Sequence, residues 1–256
     1  MTLLIEQFLC GTDNLGVLIH DTDSGLTASI DAPEAAPIMA KLKEKGWRLD
    51  RIFVTHHHVD HVEGNLALKA AYGCMITGPA GEADRIPGID EVVGGGNRLM
   101  FGNVPIAVID TPGHTLGHIS YSLPDAGVAF VGDTLFAAGC GRVIEGTMEM
   151  MWASLTKLAG LPDETVVYCG HEYTAANIRF ALTIEPDNAA LIARAAAVTA
   201  LRAAGKATLP TIIGLEKATN PFLRADEPGI RARLGMKNAP AAAVFGEIRR
   251  RKDAFR

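Results

Sequence analysis

Short apolar runs alternate with turn residues and helix-like stretches over the first two thirds of the chain, and this alternation limits the possible folds. The predicted strands are residues 16–20, 26–30, 52–55, 74–77, 106–110, 118–122, 128–131 and 165–169. Helical spacing is predicted for residues 33–45, 62–72 and 148–158. Strands that alternate with helices favour a layered α/β domain.

The pattern changes after Tyr173. Residues 175–182 and 188–204 are rich in alanine with helical spacing, no strand pattern returns, and a last helix is predicted for residues 244–253. We therefore predict a layered α/β domain over residues 1–172 and a small helical domain over residues 173–256.

Composition places the chain among globular proteins. Its 256 residues are 48% hydrophobic and 21% charged, which excludes wholesale disorder. The apolar runs are too short to span a membrane. Residues 1–6 lack the basic and apolar regions of a signal peptide, so we expect a cytoplasmic protein with no membrane partner.

Charge is distributed unevenly. The net charge of −5 argues against a nucleic-acid partner. The segment from Arg231 to Arg256, however, contains eight basic residues and only two acidic ones. This tail is either a solvated helix end or a patch that binds a small acidic ligand.

The cysteines do not form a recognisable framework. Cys10, Cys74, Cys140 and Cys169 lack C-x-x-C spacing, so buried free thiols are preferred to a disulfide set or a zinc knuckle. A reactive thiol at Cys140 or Cys169 is the weaker alternative.

The metal-binding chemistry is concentrated in residues 55–61, which read THHHVDH. In an extended strand end, His56 and His58 point to the same side, and His57 points to the other, toward packing or solvent. Asp60 and His61 fall at the start of the next helix. Nitrogen and carboxylate ligands without thiolate suit zinc, and also iron or manganese. A histidine-rich flexible tract is the alternative, but such tracts rarely follow a buried-strand pattern.

The same arrangement recurs later in the chain. His114, Asp133 and His171 each follow an apolar run and a small or turn residue. Because sites in layered α/β folds gather beyond strand ends, we expect these loops to converge on residues 56–61.

The H-x-H-x-D-H motif, with these three later residues, resembles the metallo-β-lactamase superfamily. The resemblance implies a four-layer αββα sandwich that binds two divalent metal ions. It implies two ligand sets and a bridging carboxylate: His56, His58 and His114 on the first metal, Asp60, His61 and His171 on the second, and Asp133 between them.

Four further segments resemble the glyoxalase II (hydroxyacylglutathione hydrolase) family: residues 136–147, with G-C-G-R and E-G-T; residues 169–174, CGHEYT; residues 220–224, NPFLR; and residues 249–253, RRRKD. The resemblance implies hydrolysis of S-D-lactoylglutathione to D-lactate and glutathione by a metal-bridging hydroxide. This reaction is the second step of methylglyoxal detoxification. The implied glutathione contacts are Arg142, Tyr173, Arg249 and Lys252, and the expected oligomeric state is a monomer.

Several roles stay open in this comparison. Asp60 either takes up the hydroxide proton or only ligates, and Asp133 is the second residue assigned to catalysis. Asp31, Asp110 and His118 are candidates for orienting the ligand histidines, although simple structural roles are equally compatible.

The chain departs from the family pattern at two places. Ile144 stands where the family often has a second tyrosine, and residues 13–17 lack the aromatics common after the D-N pair. Both departures concern affinity and acyl preference more than the reaction.

Four alternatives compete with this function. A sulfur dioxygenase of the same superfamily would use one iron and a glutathione persulfide, but the helical tail and the complete second-metal set favour the hydrolase. A lactonase would not need the basic tail, and a β-lactamase usually carries a secretion signal. A non-catalytic scaffold would be expected to lack a ligand.

Overall fold

A six-stranded β-sheet and a second group of strands form the first of two structural units in the chain, here a computed structural model that describes residues 3–255. Met1 and Thr2, at the start predicted to lack a signal peptide, and Arg256, in the basic tail, lie outside the described residues. The first unit contains the chain up to Asp110 together with Leu116–Gly132. The second contains Thr111–Thr115 and the chain from Asp133 onward. The predicted domain boundary at Tyr173 is a different division and stays a prediction.

The first sheet has six strands in sequence order. In chain order, its strands and the helices between them are β1 (Leu3–Cys10), β2 (Asn14–Asp21), β3 (Thr27–Ile30), α1 (Ala35–Lys45), β4 (Arg51–Phe53), α2 (Val59–Val62), α3 (Asn65–Tyr72), β5 (Met75–Pro79) and β6 (Glu91–Val93). A 3-10 helix, Ala80–Arg85, follows β5. The pairs from β3 to β6 are parallel, so their connections cross one face of the sheet as helices.

The central parallel strands of this sheet are apolar because helices pack against them. Ile52 on β4 and Ile76 on β5 are fully buried, and Ile38, Leu42 and Leu68 of the flanking helices belong to the same core cluster. A continuous apolar run is typical of a strand buried on both faces. The carboxyl end of β4 therefore leads from a rigid core into the histidine-rich segment.

The second group of strands in this unit is antiparallel. It comprises β7 (Arg98–Phe101), β8 (Val104–Asp110), β9 (Ile119–Leu123), the 3-10 helix Pro124–Ala126 and β10 (Val128–Phe130). Tyr121 joins it to the first sheet: its ring contacts Phe53, and its hydroxyl donates to the Val54 carbonyl at 2.8 Å. The two sheets therefore share one core in the first unit.

The second unit is mainly helical. Its elements are β11 (Leu135–Phe136), β12 (Gly139–Cys140), α4 (Met148–Ala159), β13 (Val166–Tyr168), α5 (Thr174–Ile184), α6 (Ala189–Ala203), β14 (Thr211–Ile212), α7 (Ile213–Thr219), α8 (Pro228–Arg233) and α9 (Ala241–Ala254). Side-chain caps start two of the helices: Thr147 accepts from the Met150 N–H, and Asn188 accepts from the Leu191 N–H.

The eight predicted strands all overlap strands of the structure. The predicted helix over residues 62–72 corresponds mainly to α3 (Asn65–Tyr72); its first residue, Val62, instead ends α2, and between the two helices the Gly64 N–H donates to the Ala32 carbonyl at 2.9 Å. Six short or partly exposed strands (β1, β6, β7, β11, β12 and β14) and helices α7 and α8 were not predicted. Among residues 3–255, no helix combines the length and the apolarity needed to cross a membrane.

Candidate metal centre

Three predicted metal ligands lie together after β4. His56 and His61 are buried, and their ring centroids are 4.1 Å apart. His58 lies beside His56, with Nδ1 of His58 3.1 Å from Nε2 of His56. The expectation that His56 and His58 point to the same side agrees with this short distance.

Asp31, a candidate for orienting a ligand histidine, contacts this set. Its Oδ2 lies 2.8 Å from Nδ1 of His61 and also accepts from the Thr55 hydroxyl. A carboxylate oxygen accepts, so Nδ1 of His61 carries a proton, and in the neutral ring Nε2 then has the lone pair. This orientation is typical of a histidine that binds metal through Nε2.

The other two residues proposed to orient ligands behave differently. His118 is buried and stacks on the His56 ring, with centroids 4.8 Å apart. Asp110 lies at the exposed end of β8, where it accepts from the Gly95 N–H. His118 thus contacts a predicted ligand, and the observed contact of Asp110 is with a loop.

Asp60 occupies the first turn of α2 and is exposed. The Asn14 amide donates to the Asp60 carboxylate at 3.2 Å and to its carbonyl at 3.0 Å. Asn14, from the D-N pair near the start of the chain, therefore holds Asp60 from both its backbone and its side chain.

His57 and Glu82 form a pair that the sequence did not predict. Both are buried, and the Glu82 carboxylate accepts from the His57 N–H at 2.7 Å and contacts its Nδ1 at 2.7 Å. The second Glu82 oxygen accepts from the Gly117 N–H at 2.9 Å. A Cβ at Gly117 would overlap the Glu82 side chain, so a glycine is required there. Of the two alternatives for His57, packing and solvent exposure, its burial favours packing, and its partner is a carboxylate.

The second unit holds three further predicted ligands. Asp133 Oδ2 lies 3.5 Å from Nε2 of His114 and 3.3 Å from Nε2 of His171, and all three residues are buried. Nδ1 of His114 donates to the Arg142 carbonyl at 2.7 Å, which directs Nε2 of His114 toward Asp133. The predicted bridging carboxylate therefore lies between two predicted ligand histidines.

These donor sets fit a divalent cation. With its proton on Nδ1, a neutral His114 presents an Nε2 lone pair to a carboxylate oxygen, and a cation between them relieves that repulsion. Imidazole nitrogens and carboxylate oxygens are ligands that zinc, iron and manganese accept. All seven predicted ligands are among the described histidines and acidic residues whose ligand atoms are placed so that they could hold a metal ion.

The predicted glutathione contacts divide into exposed and buried residues. Arg142 is exposed on the segment after β12. Tyr173 is 36% exposed, and its ring is parallel to that of His171 with centroids 4.8 Å apart. Both side chains are accessible to a ligand, and Tyr173 also supports a predicted metal ligand.

Arg249 and Lys252 lie on one face of α9 and are more enclosed. Arg249 is 4% exposed and donates to the Cys140 carbonyl and to Asp253. Lys252 lies over the Phe180 ring, and burial, followed by repulsion from Arg249, lowers its pKa below the ordinary 10.5. Their glutathione contacts stay a prediction.

The cysteines beside these segments are inert thiols. Burial raises the pKa of Cys140 to about 11 and that of Cys169 to about 12. Both are free and buried, so they are protonated near neutral pH. A nucleophilic thiolate is disfavoured at both positions.

Comparison with known proteins agrees with this arrangement. Residues 21–171 match the family model of the metallo-beta-lactamase superfamily, and residues 172–255 match that of the hydroxyacylglutathione hydrolase C-terminus. A hydroxyacylglutathione hydrolase of Brucella anthropi is 62% identical, with 99% of this chain and 97% of that protein covered. The corresponding protein of Brucella ovis is 60% identical, with 99% and 98% covered.

Solved structures support the same fold. The crystal structure of ETHE1 from Myxococcus xanthus is 25% identical, has a TM-score of 0.68, and covers 98% of each chain. The expected metallo-β-lactamase fold, two sheets flanked by helices and followed by a helical C-terminal segment, is therefore confirmed. The chain belongs to the hydroxyacylglutathione hydrolase (glyoxalase II) family of the metallo-β-lactamase superfamily.

Proposed function

We propose that this chain is a dinuclear, metal-dependent thioesterase that hydrolyses S-(2-hydroxyacyl)glutathione, with S-D-lactoylglutathione as its main substrate. The observation that carries the proposal is the full-length identity of 60–62% to proteins named hydroxyacylglutathione hydrolase. Water adds to the thioester carbonyl, the carbon–sulfur bond breaks, and D-lactate and glutathione leave.

We assign the seven predicted ligands to two divalent ions. His56, His58 and His114 would hold the first, Asp60, His61 and His171 would hold the second, and Asp133 would be a ligand to both. Bound zinc, iron or manganese supplies an acidified water as nucleophile and polarises the thioester carbonyl. Zinc is our first choice; imidazole and carboxylate ligands suit it, and they suit iron and manganese as well.

Residues around the ligands fix their direction. Asp31 keeps the proton of His61 on Nδ1, and the Arg142 carbonyl does the same for His114. Both histidines therefore offer Nε2, and neither ring has to rotate to accept a cation. Nε2 of His114 and Nε2 of His171 lie 3.5 Å and 3.3 Å from the same carboxylate oxygen of Asp133.

Proton movement needs few groups. Asp60, exposed and held by Asn14, either accepts the proton of the attacking water or acts only as a ligand. The leaving thiolate has a conjugate acid with a pKa of about 8.5, so it departs without a strong general acid. No serine or cysteine nucleophile is required, which agrees with the raised pKa of Cys140 and Cys169.

Glutathione binding is assigned to the second unit. Arg142, Arg249 and Lys252 supply positive charge for the glutathione carboxylates, and Tyr173 supplies a hydroxyl. Guanidinium groups bind carboxylates through two parallel hydrogen bonds.

We also propose the cytoplasm as the compartment, because the four cysteines are free and glutathione keeps thiols reduced there. The monomer stays a proposal.

Parallel assays test the substrate class. Thiol release from S-D-lactoylglutathione is measured beside oxygen uptake with glutathione persulfide and ring opening of a simple lactone. We expect rapid thiol release and neither of the other activities. Oxygen uptake with the persulfide, in the absence of thioester hydrolysis, would overturn the proposal in favour of the dioxygenase.

A further inference from the structure

The hairpin of β11 and β12 is held at its tip by side chains. The Ala137 carbonyl accepts from the Asn177 amide at 3.1 Å, and the Ala138 N–H donates to the Glu216 carboxylate at 2.8 Å. Ala138 itself has a φ of 54°, a left-handed conformation that costs energy for any residue with a side chain. The surrounding contacts therefore hold the tip in a shape that it would not adopt alone.

Glu216 is central to these contacts. Its side chain is fully buried, and four donors point at its two oxygens. One oxygen accepts from Arg194 and from the Thr211 hydroxyl, each at 2.5 Å. The other accepts from the Ala138 N–H and from the Asn220 amide at 3.0 Å. An ionised carboxylate satisfies four donors at once, which no neutral side chain of this size can do.

Arg194 makes the buried charge tolerable. It is 7% exposed, and it also donates to the Thr219 hydroxyl at 2.6 Å. A buried ion pair is an inefficient source of stability, because desolvation offsets most of the attraction. What the Arg194–Glu216 pair provides is direction: donors and acceptors fixed at known points.

Asn220 and Asn177 add hydrogen bonds to the backbone of the hairpin. The two N–H groups of the Asn220 amide are shared among three acceptors: Glu216, the Gly139 carbonyl at 2.9 Å and the Phe136 carbonyl at 3.2 Å. A Cβ at Gly139 would overlap the Asn177 amide, so the first glycine of the G-C-G segment allows this close approach. Carbonyls on both sides of the tip are thus bound by buried side chains.

The hairpin connects two proposed site residues. One residue, Thr134, separates Asp133 from β11, and one residue, Gly141, separates β12 from Arg142. A Cβ at Gly141 would overlap the Asp133 carbonyl, and the Arg142 carbonyl orients His114 at 2.7 Å. A shift of the hairpin would therefore move the Asp133 carboxylate, the Arg142 side chain and the tautomer-setting contact of His114 together.

We propose that the Arg194–Glu216 pair is a positioning device that sets metal affinity and substrate KM through the hairpin of residues 135–140. Neither residue touches the reacting atoms. The inference rests on the proposed function, because it takes Asp133 and His114 as metal ligands and Arg142 as a glutathione contact.

Glu216→Gln tests the pair, because the amide keeps the shape and presents an N–H group to a donor. Asn177→Leu tests the hairpin independently, since it removes one hydrogen bond at similar volume. Glu185→Gln is the matched control: Glu185 forms a bidentate ion pair with Arg224 in the same unit, at 2.9 and 3.0 Å. Zinc affinity by chelator competition, the thermal midpoint, and kcat and KM for S-D-lactoylglutathione are measured for all three.

We expect Glu216→Gln to weaken zinc binding by about 10-fold or more, as for other residues that orient metal ligands, and to raise KM severalfold. Asn177→Leu should change both quantities in the same direction with a small change in midpoint, and Glu185→Gln should change neither. Unaltered zinc affinity and KM in folded Glu216→Gln would overturn the inference. If that variant does not fold, an Asn177→Leu variant that matches wild type overturns it. Failure of the wild type to cleave the thioester would instead contradict the proposed function, and zinc affinity would still decide the inference.

Discussion

Asp31 and His61 are joined by a hydrogen bond of 2.8 Å between Oδ2 and Nδ1, and Asp31 reaches it from a left-handed backbone conformation with a φ of 56°. The same carboxylate accepts from the N–H and the hydroxyl of Thr55. One side chain therefore fixes both the tautomer of a proposed ligand and the loop that begins the histidine-rich segment.

Asp31→Asn should lower zinc affinity by about 10- to 100-fold. Asparagine tolerates the left-handed region, so the substitution removes the charge without new backbone strain. The measurement is zinc retention in a chelator titration. Asp21→Asn is the control, because Asp21 is also a buried carboxylate of the first unit and its partners are Ser24 and Asn103. Equal zinc affinity in both variants would show that Asp31 does not orient a ligand.

Glu82 is expected to stabilise the fold near residues 56–58. Glu82→Gln places an amide N–H against a donor from His57 or Gly117, which should cost about 1–3 kcal/mol of unfolding free energy. Urea unfolding measures this cost as a lower midpoint with an unchanged slope.

Glu44→Gln serves as the control for Glu82, because the exposed Glu44 pairs only with Lys41 at the surface in the described contacts. Its change should stay within about 0.5 kcal/mol. The account of Glu82 fails if both variants unfold at the same urea concentration.

Ile144 offers a gain-of-function test. It is 50% exposed, so a tyrosine fits there without disturbing the core. Ile144→Tyr restores the family side chain, and one added hydrogen bond of about 1 kcal/mol should lower KM roughly fivefold. Ile192→Tyr, at an isoleucine that is 49% exposed on α6, should leave KM unchanged. An identical effect of the two substitutions would argue against a specific contact with glutathione at position 144.

The lowered pKa of Lys252 predicts that substrate binding depends on pH. Burial, and then repulsion from Arg249 and Arg179, lowers the pKa of its ammonium group below 10.5. The charge is therefore lost at a lower pH than in an exposed lysine, and KM should begin to rise as the pH increases toward 10.5. The test is KM against pH for wild type and Lys252→Arg, corrected for spontaneous thioester hydrolysis.

The arginine variant should show a flatter profile, because guanidinium stays charged over this range. Only the slopes of KM against pH are compared between the two proteins, because lysine and arginine bind carboxylates with different geometry and the absolute KM values will differ. Parallel slopes would mean that another group causes the rise.

The sequence predicted the parts of the site that are local in the chain. His56, His58 and His61 lie within six residues, and the short period of a strand end already placed the first two together. His114, Asp133 and His171 were predicted because each follows an apolar run. Asp31 was proposed as an orienting residue, and its hydrogen bond to His61 is the contact that this role requires; the role itself stays a prediction.

The sequence did not predict buried charges that resemble surface residues. Glu82 stands in GEADR and Glu216 in LEKAT, segments whose polar composition is typical of exposed helix. Their burial depends on partners far along the chain: Gly117 for Glu82, and Arg194 and Ala138 for Glu216. Tertiary contacts of this kind leave no local periodicity to detect.

The most direct test of the central claim combines metal content with chelator-sensitive thiol release from S-D-lactoylglutathione. We predict about two divalent ions per chain, loss of thiol release on chelation, and recovery when zinc is restored. Asp133→Ala should bind less metal and release thiol far more slowly. Thiol release that persists after complete metal removal, or two bound metals without any thiol release, would contradict the account.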